Sequence, residues 1–561
     1  MQKFWQVKNP NPQKQLRLSD ALGIHPIIAQ LLINRGISDP KEASTFLSAD
    51  ITQLHDPFLL KDMSKVVKRI HQARDKQERV LVFGDYDVDG VTSSTILNKI
   101  LKEQGINALH HIPHRQEDGY GLNHSIGDWA VSQKVKLLIA VDCGITAKEE
   151  VRILNQLGLE VIVIDHHEPT PERIPDAYAI INPKQKDCPY PFKDLASVGL
   201  VGKLAQALAG EMPLKFLDLM AIGTIADIVS LRGENRILVK AGLPQILKTT
   251  NVGLRALLNS AKIKATAVSP YHVGFILGPR INAAGRMDSA HGSLDLLLSE
   301  DPEKAERLAQ ILEEHNTQRQ RIQKNIVFEA EELLEQEVNF KEHKVIVLGK
   351  EGWHKGVLGI VASKLTEKYY RPSIIISFSE GIGTASARSI GGFHLHDALM
   401  ECSSHLEEFG GHEGAAGLTI KQENIDTFRV SINKLAEDFL PPEKLKPTLS
   451  IDCEIPLGSI DMDFADLISS MEPFGEGNPI PVFCTRNLTV KSQPVIMGKE
   501  TIKFWVADEK VVISAVGFGM AKYKAMLTPG AQIDLAYEII IDDWNKKPTP
   551  QLKIKDLRLS E

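Results

Sequence analysis

The residues of this chain best suited to chemistry lie in one stretch, VLVFGDYDVDGVTSS from Val80 to Ser94, where Asp85, Asp87 and Asp89 alternate with other residues. In an extended segment, residues two apart project to the same side, so the alternation presents several carboxylate oxygens to one point. Like charges resist joint ionisation there, and water, shared protons or cations must dilute them. Hard divalent cations with oxygen ligands answer that need. A lone D-x-D is more often a polar turn leaving a strand, but here the setting recurs. KLLIAVDCG ends an apolar run with Asp142, and LEVIVIDHHEP ends the next with Asp165, His166 and His167. MAIGTIADIVSL, Met220 to Leu231, sets Asp227 inside an apolar helical stretch, where an ionised carboxylate needs a partner such as a metal. Neutral imidazole beside carboxylates is a transition-metal ligand, and a mixed Asp/His set suits Mn²⁺, or Mg²⁺ where oxygens and waters dominate.

Such residues need a scaffold that brings them together, and the pattern from Arg79 onward supplies one. Apolar runs at Val80 to Phe83, Ala108 to Ile112, Leu137 to Val141, Val161 to Ile164 and Ala179 to Ile181 alternate with helical segments such as Thr92 to Glu103 and Lys148 to Leu157. Continuous apolar strands separated by helices predict a parallel sheet covered on both faces, and open α/β sheets place ligands at the strands' carboxyl ends. At 561 residues and 43% hydrophobic composition, the chain is long enough for three or more domains. A net charge of −7 gives no global push toward nucleic acid, so any such binding must use local basic grooves. Five scattered cysteines without a CxxC pair predict a reducing, cytoplasmic compartment. The N-terminal residues MQKFWQVKNP lack an apolar signal core, and no segment is apolar enough to cross a bilayer, so no membrane partner is expected.

GDYDVDG, VDCG, IDHH and GTIADIVSL, in this order and at these separations, resemble the four motifs of the DHH phosphoesterase family. GPRINAAGRM and FGGHEGAAGLTI are similar to the hallmarks of that family's RecJ branch, single-strand-specific 5′ to 3′ exonucleases, the second being the signature of the associated DHHA1 domain. The likeness runs from about Arg79 to the C-terminus. It implies a centre of two ions, Mn²⁺ or Mg²⁺, held by Asp87, Asp89, Asp142, His166 and Asp227, with Asp85 contributing. His167 matches the residue that contacts the substrate phosphate, and Asp165 would orient the pair by accepting a ring N–H. Two cations about 3.5–4 Å apart can activate a water and stabilise both oxygens of phosphodiester cleavage, so no protein nucleophile is required. The resemblance implies a substrate of single-stranded DNA, a role in repair and recombination, and a single-strand-binding protein and a helicase as partners.

Substrate contacts are expected in glycine-bearing segments. HIPHRQEDGYGLN offers Arg115 as a planar fork for phosphate, or else as a salt-bridged surface residue, with Gly119 and Gly121 allowing close approach. Arg280 and Asn282 of GPRINAAGRM would suit a helix start facing an anion, while Arg286 is as readily structural. Pro302 to Gln336 is a charged helical run of roughly 50 Å at 1.5 Å per residue, a spacer with a solvated face between two catalytic lobes. Beyond it, GTASARS contributes Ser386 and Arg388, and the FGGHEGAAG cluster places Gly410, Gly411 and His412 in a substrate-binding loop, by likeness to DHHA1 domains. The last segment alternates in a β fashion, and EPFGEGNPIPVF resembles the entry to an OB-like barrel. Phe504, Trp505, Tyr537 and Trp544 there are either base-stacking platforms or barrel core.

The expected organisation is an N-terminal cap region (1–70), a parallel-sheet α/β DHH domain (71–300), a connecting helix (301–338), a smaller α/β DHHA1 domain (339–440) and a C-terminal OB-like β-barrel (441–561). Two other functions fit less of the chain. A phosphodiesterase of cyclic dinucleotides or short oligonucleotides would not use the connector and barrel, and a silent single-strand-binding scaffold would not need the full ligand set.

Overall fold

The computed structural model describes residues 3–114, 121–123, 125–542 and 548–560. Its contacts divide the chain into two compact units: His55–Asp227 with Ala241–Lys446, and Met1–Leu54 with Ile228–Lys240 and Pro447–Glu561.

In the first of these units, five parallel strands stand in the order Leu109–His111, Arg79–Gly84, Val135–Val141, Glu160–Ile164, Ala179–Ile181. The predicted runs coincide with them to within two residues. Helices cover both faces, and the three central strands are buried at all but one position each. Along the chain the order is 2-1-3-4-5, so the direction of winding reverses between the first and third strands. A crevice opens at such a reversal beyond the carboxyl ends of the strands. Asp85 and Asp142 directly follow those two strands.

One local expectation is corrected. Asp85, Asp87 and Asp89 do not alternate along an extended segment, because the helix Val88–Glu103 begins four residues before Thr92. Asp87 is its N-cap: the carboxylate accepts the N–H groups of Asp89 (2.9 Å) and Gly90 (3.2 Å). An aspartate satisfying two orphan amides starts a helix more strongly than the strand-like pattern resists it.

The connecting helix spans Pro302–Glu337, as its unbroken periodicity predicts, but it is more than a spacer. Ala305, Ala309, Leu312, Asn316, Arg319, Gln323, Ile326, Ala330 and Leu334 form a buried stripe at spacings of three and four residues. Its first half packs on the helices Val252–Ser260, Gly278–Met287 and His291–Leu298, and its second half on the strand Ile346–Glu351 and the helix Leu358–Tyr369. The second α/β lobe is a five-stranded sheet ordered Glu408–Gly411, Ala415–Lys421, Ile382–Arg388, Ser373–Ser379, Ile346–Glu351, parallel only between the last two.

The other unit is built on a β-barrel. Phe483–Val490, Gln532–Asp542, Thr549–Leu559, Val512–Gly517 and Thr501–Ala507 pair in succession, and the last pairs again with the first through Thr489 and Val490, which closes the ring. Phe504 and Tyr537 are core, with the Tyr537 hydroxyl 2.6 Å from Thr485 Oγ1, whereas Trp505 faces outward at 47% exposure. Trp544 lies outside the described residues. The N-terminal segment adds a strand that the sequence did not announce, Phe4–Val7, paired in parallel with Thr448–Ile451. Among the described residues, no single helix is long and apolar enough to cross a membrane.

Candidate functional site

The acidic residues singled out from sequence converge beyond the sheet's carboxyl edge. Asp85, Asp89 and Asp142 are buried to 2% exposure or less. Gly90 permits the tight turn that holds them, since a Cβ there would overlap the backbone of Asp85. Asp142 leaves its strand with φ +63°, a left-handed conformation that aspartate tolerates better than most residues, and its N–H donates to the Ile164 carbonyl. Asp227 is the C-cap of the helix Leu217–Ala226 rather than an interior residue.

Oxygen and nitrogen donors form three trios whose atoms lie within 4.8 Å of one another: Asp85, Asp87 and Asp142; Asp89, His166 and Asp227; and Asp142, His166 and His167, which links the other two. His166 Nε2 stands 3.4 Å from Asp227 Oδ2 and 3.6 Å from Asp142 Oδ1. These three atoms are buried and have no hydrogen-bond partner among the described residues. Orphaned carboxylate oxygens around an imidazole nitrogen are the donor set that a divalent cation satisfies, so the residues present fit a metal centre.

The electrostatics say the same. Burial, followed by repulsion from neighbouring carboxylates, pushes Asp227 up to about 9 and Asp89 up to about 7, and raises Asp142 well above the usual carboxylate range. Burial, followed by the neighbouring His167, pulls His166 down to about 3, leaving a neutral ring. His167 behaves oppositely: burial disfavours its charge, but hydrogen bonding to Asp165 and the surrounding carboxylates outweigh this and lift it to about 9. Asp165 Oδ1 lies 2.7 Å from His167 Nδ1 and accepts the His167 N–H, while its Oδ2 accepts the Ile145 N–H. Asp165 therefore orients His167, leaving Nε2 of a partly exposed ring directed away from that pair.

Asp89 carries a second duty that sequence could not reveal. Its two oxygens accept the N–H groups of Ser197 and Val198, both at 2.8 Å. Those amides open the helix Ser197–Ala209, whose own N-cap residue is Ala196 and has no side-chain acceptor. Replacing Asp89 by alanine is therefore expected to lower unfolding stability by about 0.5–2 kcal/mol, the usual cost of a lost cap, read as a reduced denaturation midpoint. An unchanged midpoint would show that these bonds hold nothing.

The remaining candidates are distributed along the same unit. Arg280 and Asn282 lie within the helix Gly278–Met287, but not at an open helix start, because the π-helical turn Val273–Leu277 runs directly into it. The Arg280 guanidinium is engaged: it donates to both oxygens of Glu313 (2.5 and 3.1 Å) and to the Ile276 carbonyl. Next to it electrostatically is Arg319, which sequence reasoning missed. This half of the pair is buried in the connecting helix and held by the amide oxygens of Asn316 and Gln323. The only available sign was the run of polar residues at core spacing in HNTQRQRIQ.

Ser386 and Arg388 sit on the strand Ile382–Arg388 rather than in a loop, and Arg388 donates to Ser386 Oγ and the Ala387 carbonyl. They are reached from the first lobe through one turn. A Cβ on Gly356 would overlap the Arg286 carbonyl, and a Cβ on Gly359 would lie 3.0 Å from both Ser386 Oγ and Arg388 Nη2. Gly410 and Gly411 form an exposed edge strand, Glu408–Gly411, with His412 at the following turn; this is a hairpin, not a glycine loop. His412 is exposed, and its Nδ1 accepts the Gly414 N–H. Arg115 and Gly119 lie outside the described residues.

Comparison with known proteins agrees with this arrangement. The DHH family N-terminal domain matches residues 79–224, the DHHA1 domain residues 342–438, and the RecJ OB domain residues 451–556. The single-stranded-DNA-specific exonuclease RecJ of Bacillus subtilis is 39% identical over 99% of this chain and 71% of its own length. That of Haemophilus influenzae is 32% identical over 97% and 98%. The crystal structure of RecJ from Thermus thermophilus in complex with Mn²⁺ superposes with a TM-score of 0.84 at 28% identity, covering all of this chain and 80% of that one. With all three domains present in order and similarity extending over 71% and 98% of the length of these two relatives, the chain belongs to the RecJ family of DHH phosphoesterases.

Proposed function

We propose that this protein hydrolyses single-stranded DNA from its 5′ end, releasing 5′-mononucleotides, with two divalent cations, Mn²⁺ or Mg²⁺, at the acidic centre. The observation that carries this reading is the pair of donor trios, Asp85/Asp87/Asp142 and Asp89/His166/Asp227, each with two buried members and one half-buried, at the switch point of a parallel sheet. Bound cations would supply a water of lowered pKa and neutralise the phosphate under attack. The chain's own residues do the rest. His166, neutral because it is buried, keeps the Nε2 lone pair for a cation. His167, charged and held by Asp165, donates from Nε2 to a phosphate oxygen and so fixes the scissile group. Asp89 ties the centre to the start of the helix Ser197–Ala209, which restrains that donor when substrate arrives.

Polarity is assigned to the second lobe. Ser386 and Arg388, beside the turn at Gly356–Gly359, take the terminal 5′-phosphate; Arg280 and Asn282 line the approach, and the edge strand with Gly410, Gly411 and His412 extends the path for the strand behind it. Arg115 joins them on the family's likeness. Phosphate contacts fix register without reading bases, so cleavage should depend little on sequence. The work of such an enzyme is DNA repair and recombination in the cytoplasm, alongside a single-strand-binding protein and a helicase.

The test uses single strands of equal length carrying a bulky group at the 5′ or the 3′ end, with the duplex as control. The 5′ block is expected to slow nucleotide release at least tenfold and the 3′ block to have little effect. Resistance of the 3′-blocked strand would reverse the polarity, and equal cleavage of duplex would remove the strand preference.

A further inference from the structure

Two large aromatic side chains stand in the open at a turn that packs against the helix Leu217–Ala226, the helix that ends at Asp227. Tyr271 is 62% and Phe275 72% exposed, and their rings stack with centroids 5.0 Å apart and planes at 26°. Exposing one such ring is ordinary, but two exposed rings stacked on each other form a flat apolar surface. The other stacked pair among the described residues, Phe340 with Tyr369, is less open: Tyr369 packs against the core of the second lobe and Phe340 is 36% exposed. The backbone beneath Tyr271 and Phe275 is firmly set. Ser269 and His272 cap the turn reciprocally, and Val273 and Leu277 bury the opposite face completely.

Their position gives the surface a meaning. Phe275 lies in the π-helical turn Val273–Leu277, the kind of one-residue insertion that re-aims side chains at functional sites. Gly278, about one helical turn further on, packs against the centre's frame: a Cβ there would lie 3.7 Å from the Ala226 Cβ and 3.9 Å from Val88. Ala226 precedes Asp227, and Val88 stands between Asp87 and Asp89. The turn that bears the rings thus rests on the ends of two helices of the centre, the one closing at Asp227 and the one opening between Asp87 and Asp89. Bases of a single strand are unpaired and offer π-faces of any sequence to an aromatic side chain.

We propose that Tyr271 and Phe275 form a stacking platform for the nucleobases of the single strand next to the cleavage site, a contact that duplex DNA, with its bases already stacked, cannot make. The platform rests on the nuclease reading given above. It adds to the acidic centre, which sees only phosphate, a contact that depends on bases being free. The ligand class is the unpaired nucleobase of any identity, and the effect is on binding rather than on the bond-breaking step.

The test compares a 20-nucleotide deoxythymidine strand with the same strand made abasic at its first four positions from the 5′ end, using the full chain with Mn²⁺. Wild type should use the abasic strand about tenfold less well, within the range of one base–aromatic stack, through KM rather than kcat. Tyr271→Ala and Phe275→Ala should each raise KM for the intact strand about tenfold and cause no further loss on the abasic one. Phe275→Trp should restore KM, and its added indole emission should be quenched by the intact strand in the presence of chelator. Unchanged KM in both alanine variants, or equal losses on both strands, would overturn the platform and leave these rings as a docking face for protein or a part of the fold. If wild type cleaves both strands equally, the platform alone fails; if it cleaves neither, the nuclease reading itself fails.

Discussion

Asp227→Asn is expected to reduce nucleotide release by about 10³-fold or more while leaving the metal-free fold as stable as wild type, or more so. The first half follows from charge: a loss of about 4 kcal/mol of transition-state stabilisation corresponds to that factor, and it is the scale on which a divalent cation acts at a phosphate. Asparagine keeps the shape but offers no anionic oxygen beside His166 Nε2. The second half follows from the sign of the shift. Burial and the neighbouring carboxylates hold Asp227 near 9 in the folded chain, against about 3.9 for an aspartate in the unfolded one. A carboxylate raised in this way favours folding at low pH and loses that contribution as pH rises through the folded value. Metal-free wild type should accordingly become less stable between about pH 4 and 9, and the variant should lose this group's share of that slope. Thermal melts in chelator at pH 6 and 8.5, beside a cleavage assay with Mn²⁺, measure both. Activity within tenfold of wild type would remove Asp227 from the centre.

The two adjacent histidines should fail in different ways. In His166→Ala a neutral nitrogen directed at Asp142 and Asp227 is lost, so bound Mn²⁺ should fall and cleavage should fall with it, partly recovered at high metal concentration. In His167→Ala those donors remain, so metal content should stay near wild type while kcat falls about 10²–10³-fold, the usual cost of removing one aimed donor from a developing charge. Asp165→Asn should resemble a milder His167→Ala, because it leaves the ring in place without the carboxylate that holds and charges it. Metal content of each purified variant, measured by elemental analysis together with kcat, separates the cases. Equal metal loss from both alanine variants would merge the two roles.

The fold of the catalytic lobe was legible because its information is local. Three of its five apolar runs end in an acidic group, and a strand needs only its own residues to declare itself. The site was legible for the same reason: Asp85, Asp142, Asp165 and His166 follow their strands directly. What stayed hidden depends on distant partners. Asp89 caps a helix 108 residues away, and Phe4–Val7 is a strand only because Thr448–Ile451 lies beside it. Arg280 looked available until Glu313 was found across from it. The connecting helix misled for another reason. Leu308, Ile311, Leu312, Ile322, Ile326, Ala330 and Leu333 recur near helical spacing, and Leu312, Ile326 and Ala330 are buried; yet Ile311 is exposed, and the buried stripe also carries Ala305, Ala309 and the polar trio Asn316, Arg319 and Gln323. Close helix packing selects small residues and paired polar ones where a search for bulky apolar residues looks past them. In the barrel, Phe483–Val490 and Thr501–Ala507 went unannounced, although together they close the ring.

The connecting helix also fixes how this architecture can vary by insertion and deletion. Its buried stripe runs unbroken from Ala305 to Leu334 and grips a different lobe with each half, so the helix acts as a gauge block whose length sets both the separation and the rotational phase of the lobes. Adding one residue at its middle would advance the second lobe by about 1.5 Å and turn it by about 100°, carrying Ser386 and Arg388 out of line with the acidic centre. Adding seven would nearly restore the phase, with an error of only about 20°, but would lengthen the gap by about 10 Å, more than the step from one phosphate to the next along a strand. Length change in this segment is therefore barred in both the small and the whole-turn case, whereas the exposed hairpin tip at Glu380 and Gly381, between Ser373–Ser379 and Ile382–Arg388, is free to grow or shrink without moving the residues proposed to take phosphate.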